Sequence, residues 1–196
     1  MNKGRLEAFS DGVIAIIITI MVLDLKIPHG HSFEDLRPQI PIALMYLLSF
    51  VYVGIYWNNH HHMLHAAGKV TGGILWANLH LLFWLSLVPV TTAWMGENHT
   101  ATAPSVLYGG VLLMAGVAYV ILQQLIIVAQ GSHSVLKEAV GRDWKGKASA
   151  VLYSISIICA FQSPWISQAI YVLVALMWLI PDRRIERLLT RKQESQ

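Results

Sequence analysis

Residues 12–23 read GVIAIIITIMVL, an apolar run in which Thr19 supplies the one hydroxyl group. Asp11 stands immediately before this run, and Asp24 and Lys26 follow it. A helix that crosses the hydrocarbon core of a bilayer needs roughly 20 residues at a rise of ~1.5 Å each. The run and its flanks approach that length, so the sequence predicts a first transmembrane helix over residues 12–27.

The rest of the chain continues this pattern. It has 196 residues, of which 55% are hydrophobic and 13% are charged, and its mean hydropathy is +0.53. This composition is more apolar than that of a soluble domain. Because a backbone in lipid must satisfy its own hydrogen bonds, we expect an all-α fold with about six spans. The predicted spans are 12–27, 39–57, 71–94, 105–130, 148–162 and 163–181, within one transmembrane domain of residues 1–181.

The charges between these runs predict the orientation. If the N-terminus is cytoplasmic, most Lys and Arg residues fall on the cytoplasmic side, and Lys26 and Arg37 fall on the other side. This asymmetry is typical of membrane proteins. We therefore expect a multi-pass protein of the cell membrane with both termini in the cytoplasm and a basic tail over residues 182–196. The basic residues lack the aromatic pattern of RNA-binding modules, so no nucleic-acid partner is expected.

The start of the first helix is polar, with Ser10 and Asp11 ahead of Gly12. Ser10 or Asp11 can cap the helix, where an acceptor oxygen and a negative charge are both favourable. Polar groups at membrane depth are also costly, and they often mark functional sites. From these residues alone, both interpretations stay open.

One face of the first helix carries Ile16, Thr19, Ile20 and Leu23 at spacings of three and four residues. In an isolated helix, such a face contacts lipid or the protein core. If several copies of the helix surround an axis, however, the three apolar residues become stacked rings and Thr19 becomes a ring of hydroxyls. A narrow pore with such rings can gate by dewetting.

Arg5, Phe9, Ser10 and Asp11 form an Arg-x-x-x-Phe-Ser-Asp pattern ahead of this isoleucine-rich helix. The pattern resembles the start of the first helix in the lysosomal and endosomal transmembrane potassium channel family. The single six-helix unit is similar to the prokaryotic members. The resemblance implies that four identical chains surround a central pore that is lined by the first helix and conducts potassium. The Thr-Val-Gly-Tyr-Gly filter of other potassium channels does not occur in the sequence.

The resemblance also implies roles for individual residues. Ile16 is expected to form the narrowest constriction, with Ile20 and Leu23 as further apolar layers and Thr19 as a hydroxyl layer linked to selectivity. A polar network is expected to hold the pore helix in place with one histidine of the cluster at residues 60–65. The residues expected in this network are Arg5, Phe9, Ser10, Asp11, Trp57, His61, His65 and Asn78.

Three other functions compete with this one: an enzyme, a secondary transporter and a structural membrane scaffold, the last of which leaves the Phe-Ser-Asp pattern unexplained. His61 and His65 form an i, i+4 pair that can bind a metal on a helix, but the further histidine boxes of a membrane di-iron enzyme are missing. No enzyme activity, resident metal or cofactor is therefore expected, with potassium ions as the permeant species. A secondary transporter of a small cation or solute is the stronger alternative, although the spans lack the central acidic residue of many carriers.

Overall fold

The computed structural model of the protein describes residues 2–131, 136–137 and 143–179. Of these described residues, 85% are helical and none lies in a strand. The predicted all-α class is therefore confirmed, while the basic tail at residues 182–196 lies outside the described residues. The helices are α1 (Lys3–Val22), a 3₁₀ helix (Phe33–Gln39), α2 (Ile40–Ala66), α3 (Gly72–Ser86), α4 (Val88–Glu97), α5 (Thr102–Gln130), α6 (Trp144–Ala160) and α7 (Pro164–Leu179).

Three helical stretches among the described residues are long and apolar enough to cross a membrane: Phe33–Ala66, Gly72–Glu97 and Thr102–Gln130. The helices α6 and α7 are shorter, with 17 and 16 residues. The first helix has 20 residues, and several charged side chains lie in its first half. These apolar helices are those of a membrane protein. The division into about six spans stays a prediction.

The first helix begins nine residues before the predicted span, at Lys3 rather than Gly12. Its N-cap is Asn2, whose side-chain oxygen accepts a hydrogen bond from the Gly4 backbone N–H at 3.1 Å. The interpretation of Ser10 or Asp11 as the cap is therefore wrong. Ser10 lies inside the helix, where its hydroxyl donates to the Leu6 carbonyl at 2.9 Å, an i−4 bond that lets a helix accommodate serine.

The predicted span 71–94 is two helices, α3 and α4, which meet at Leu87. Pro89, in the first turn of α4, has no backbone N–H with which to continue the ladder of α3. The Thr91 and Thr92 hydroxyls donate back to the Val88 carbonyl at 3.1 and 2.7 Å. The interruption at Leu87 thus follows from one proline, and the Leu85 carbonyl, which Pro89 leaves without its i+4 donor, accepts from the Leu87 N–H instead.

The helices pack into one bundle in which α1 contacts α2, α3 and α4, while α5 contacts α3, α6 and α7. Two apolar clusters fill it. One cluster lies between the buried face of α1 and the rest of the bundle. The other lies among α2, α5, α6 and α7, around four buried tyrosines: Tyr52, Tyr108, Tyr153 and Tyr171. Three of these hydroxyls are hydrogen-bonded: Tyr52 donates to the Tyr171 carbonyl, Tyr171 donates to the Ser105 carbonyl, and the Tyr108 hydroxyl lies 2.9 Å from the Ser49 hydroxyl.

The segment after α1 is attached to the far end of α4 by an ion pair between Lys26 and Glu97. Both side chains are exposed, and exposed ion pairs contribute little free energy. The pair therefore fixes the direction of this segment more than it stabilises the bundle.

Candidate functional site

The first helix has one buried face and one open face. The buried side chains are Leu6, Ser10, Ile14, Ile17 and Met21, which point into the bundle. The opposite face is apolar and exposed, with exposed fractions of 58% for Ile16, 47% for Ile20 and 78% for Leu23. The structure therefore brings the four sequence-predicted pore residues, Thr19 included, to one continuous surface that nothing in the described chain covers.

Thr19 lies within this open face, and its hydroxyl donates to the Ile16 carbonyl at 2.9 Å. That bond uses the only proton of the hydroxyl group, so the oxygen lone pairs remain free to accept. A side chain in this state presents a partial negative charge to its surroundings. Thr19 is thus prepared to interact with a cation, whereas the neighbouring isoleucines offer no polar atom.

On the buried face, a chain of hydrogen bonds joins α1, α2 and α3. The Asn78 Nδ2 group donates to Ser10 Oγ at 2.9 Å, and Asn78 Oδ1 lies 2.7 Å from His60 Nε2. All three side chains are buried, with exposed fractions of 0% for Ser10 and Asn78 and 1% for His60. Because each unpaired polar group would be costly there, the chain fixes the rotation of α1 relative to α2 and α3.

A second contact holds the polar start of α1 from the side. Trp57 Nε1 on α2 donates to the Asp11 carboxylate at 3.0 Å. Phe9 and Arg5 lie on α1 but do not join either contact: Phe9 is 52% exposed, and the Arg5 guanidinium makes no hydrogen bond or ion pair with any residue that the structure describes. The predicted pairing of Arg5 with Asp11 is therefore not formed within one described chain.

The histidine that reaches Asn78 is His60, which the predicted network did not name. His61 and His65 lie on the exposed side of α2 instead, stacked with their rings 13° apart and their centroids 6.3 Å apart. The periodicity of α2 contained the signal. The buried residues Ser49, Val53, His60 and Leu64 follow one another at helical spacing, so extending that stripe selects His60 and places His61 and His65 about 100° away.

The described residues include no group of three or more His, Cys, Asp or Glu side chains placed to hold a metal ion. Chemically, the site therefore offers an open apolar helix face with one hydroxyl oxygen, supported from behind by a buried hydrogen-bond chain. Such an arrangement can line a pathway or contact another chain.

Comparison with known proteins places this site in context. The family described as endosomal/lysosomal potassium channel TMEM175 matches residues 5–89, which include α1, the histidine cluster and Asn78. A protein of Chryseobacterium sp. named as a potassium channel is 56% identical over 187 residues, covering 95% of this chain and 97% of that protein. A zebrafish protein named as an endosomal/lysosomal proton channel is 28% identical over 195 residues, covering 92% of this chain and 36% of that protein.

Among solved structures, the chain is similar to the crystal structure of a lysosomal potassium-selective channel homologue from Chamaesiphon minutus. The TM-score is 0.78 at 26% sequence identity, and the match covers 92% of this chain and 97% of that one. The likeness thus spans the whole helical bundle, not only the region of α1.

Proposed function

This chain belongs to the TMEM175 family of potassium channels, and from that premise we propose that four copies surround a passive potassium pathway lined by the open face of α1. The observation that carries the proposal is that face itself. It is continuous and largely apolar, and it lies opposite the face that the bundle buries. One chain cannot enclose a pore with one exposed helix face, so the proposal requires several copies around an axis.

In this arrangement, Ile16 forms the constriction and Ile20 and Leu23 form the adjacent apolar layers. An apolar constriction opposes a hydrated ion because water inside it is unfavourable. Potassium loses its water more readily than sodium does, and the free lone pairs of the Thr19 oxygen replace part of that hydration. Together these two effects favour potassium. They require no cofactor, and potassium is the only small species that the pathway needs.

The membrane and the orientation belong to the same proposal. We place the chain in the cell membrane with both termini in the cytoplasm, because the loop charges favour that side. Ser10, Asp11 and their partners then lie toward the cytoplasmic end of α1. There, the hydrogen bonds of Asn78 and Trp57 hold the helix at the rotation that turns Ile16 toward the axis.

A carrier of a small cation or solute is not favoured, since the family and the bacterial relatives are named as channels. The experiment that separates the two is ion flux through the purified protein in liposomes. With a potassium gradient, we expect fast passive flux that does not saturate and does not depend on a proton gradient. An equal sodium gradient should give slower flux, and protein-free liposomes give the baseline. Slow, saturable or proton-coupled potassium movement would contradict the pore.

A further inference from the structure

The exposed side of α2 near its C-terminus carries a histidine pair that neither the bundle nor the proposed pore uses. His61 and His65 are one helical turn apart and both are exposed. Their rings are nearly parallel, with centroids 6.3 Å apart. Neither imidazole forms a hydrogen bond with any described residue, although the His61 ring also lies tilted beside Trp57, at 6.3 Å between centroids. Two free imidazoles on one helix face are the ligands that Zn²⁺ and Cu²⁺ prefer.

We propose that His61 and His65 form a reversible two-histidine site for a transition-metal dication such as Zn²⁺. In a chelate, each coordinating nitrogen lies about 2.0–2.1 Å from the ion. The two rings must therefore turn toward each other from their present separation. Both side chains are exposed, which leaves room for this rotation; the His61 ring turns away from Trp57 and His62 as it does so. Water molecules complete the coordination sphere, so the ion exchanges freely and is not a resident part of the fold.

The other two histidines of the cluster, His60 and His62, already contact other side chains. The ring of His60 is buried, with its Nε2 atom 2.7 Å from Asn78 Oδ1. The ring of His62 meets the His61 ring edge-on, at 5.7 Å between centroids. Lys3 brings a positive charge close to the pair, since its Nζ donates to the His65 carbonyl at 2.6 Å. Glu7 lies 3.9 Å from that ammonium group and balances its charge. The local electrostatics therefore do not exclude a dication.

The test is calorimetric titration of Zn²⁺ into the purified full chain in detergent, after removal of any histidine tag. We expect one ion per chain, and binding weakened by at least about tenfold in both His61→Gln and His65→Gln. Loss of a residue that only hydrogen-bonds a metal ligand weakens metal affinity by about 10- to 100-fold. Loss of a ligand itself should weaken it at least as much. His31→Gln, at an exposed histidine in the segment after α1, is the matched control and should bind as the unmodified chain does.

Both variants alter exposed side chains, so circular dichroism should show unchanged helix content. Three results would overturn the proposal. They are an absence of Zn²⁺ binding to the unmodified chain, binding that survives in both variants, and binding that is lost in only one of them. The titration measures no ion flux, so its outcome is independent of whether the chain conducts potassium.

Discussion

Ile16→Asn is expected to raise potassium flux through the reconstituted protein by roughly tenfold or more. In the proposed tetramer, the substitution replaces a ring of apolar side chains by amides that hold water in the constriction. A tenfold rate change requires the barrier to fall by only about 1.4 kcal/mol. Burial of one isoleucine side chain away from water changes the free energy by about 1.5–3 kcal/mol, which is more than this requirement. The measurement is potassium efflux from liposomes at matched protein density.

The matched control for this variant is Ile166→Asn on α7. Ile166 is exposed to a similar degree, 49% against 58% for Ile16, and it lies near the start of its helix, where a polar side chain can reach the membrane surface. We expect this control to conduct as the unmodified protein does. If Ile16→Asn assembles normally and conducts no differently, Ile16 does not form the constriction.

Asn78→Leu is expected to lower the free energy of unfolding by about 2 kcal/mol. The substitution keeps the number and branching of the side-chain heavy atoms but removes two buried hydrogen bonds at once. His60 Nε2 then stays buried without a partner, which costs about 1–3 kcal/mol. A single hydrogen bond between membrane helices averages only about 0.6 kcal/mol, so most of the loss comes from the unpaired imidazole. The measurement is equilibrium unfolding in mixed detergent micelles.

Asn58→Leu provides the control, because Asn58 lies on α2 with its side chain exposed. The same chemical change there should leave the unfolding free energy nearly unchanged. Equal destabilisation by the two variants would show that the loss comes from changing asparagine in general. In that case, the Ser10–Asn78–His60 chain would not be what fixes the rotation of α1.

The grouping of residues on the open face of α1 could be predicted because helical periodicity decides which side chains share a face. Ile16, Thr19, Ile20 and Leu23 lie together in any regular helix, whatever surrounds it. The sequence could not show that this face is the open one, since both faces of α1 are apolar. That distinction comes from Ser10, which pairs with Asn78 across the bundle and thereby turns Ile14 and Ile17 inward.

Helix ends were harder to predict than helix faces. The span 12–27 excluded the charged residues at its start, yet α1 begins at Lys3, because Asn2 caps it and Asp11 is satisfied by Trp57 from another helix. Such a partner is distant in sequence and leaves no local signal. The burial of His60 rather than of its neighbours, in contrast, could be predicted from the sequence, because it follows from the helical spacing of the buried residues of α2.

The central claim is that potassium passes along the open face of α1, and thiol modification at Leu23 tests it most directly. Cys159 is the only cysteine in the chain, so Cys159→Ser provides a cysteine-free background. Leu23 is the C-cap residue of α1 and is 78% exposed, which leaves a cysteine there within reach of a charged, water-soluble thiol reagent. Ile166→Cys in the same background is the matched control.

We predict that the reagent reduces potassium flux through Leu23→Cys and leaves both the cysteine-free parent and Ile166→Cys unchanged. The extent of labelling at each position is measured by mass spectrometry. Complete labelling of Leu23→Cys with undiminished potassium flux would contradict the account, because the ions would then pass by a route that α1 does not line.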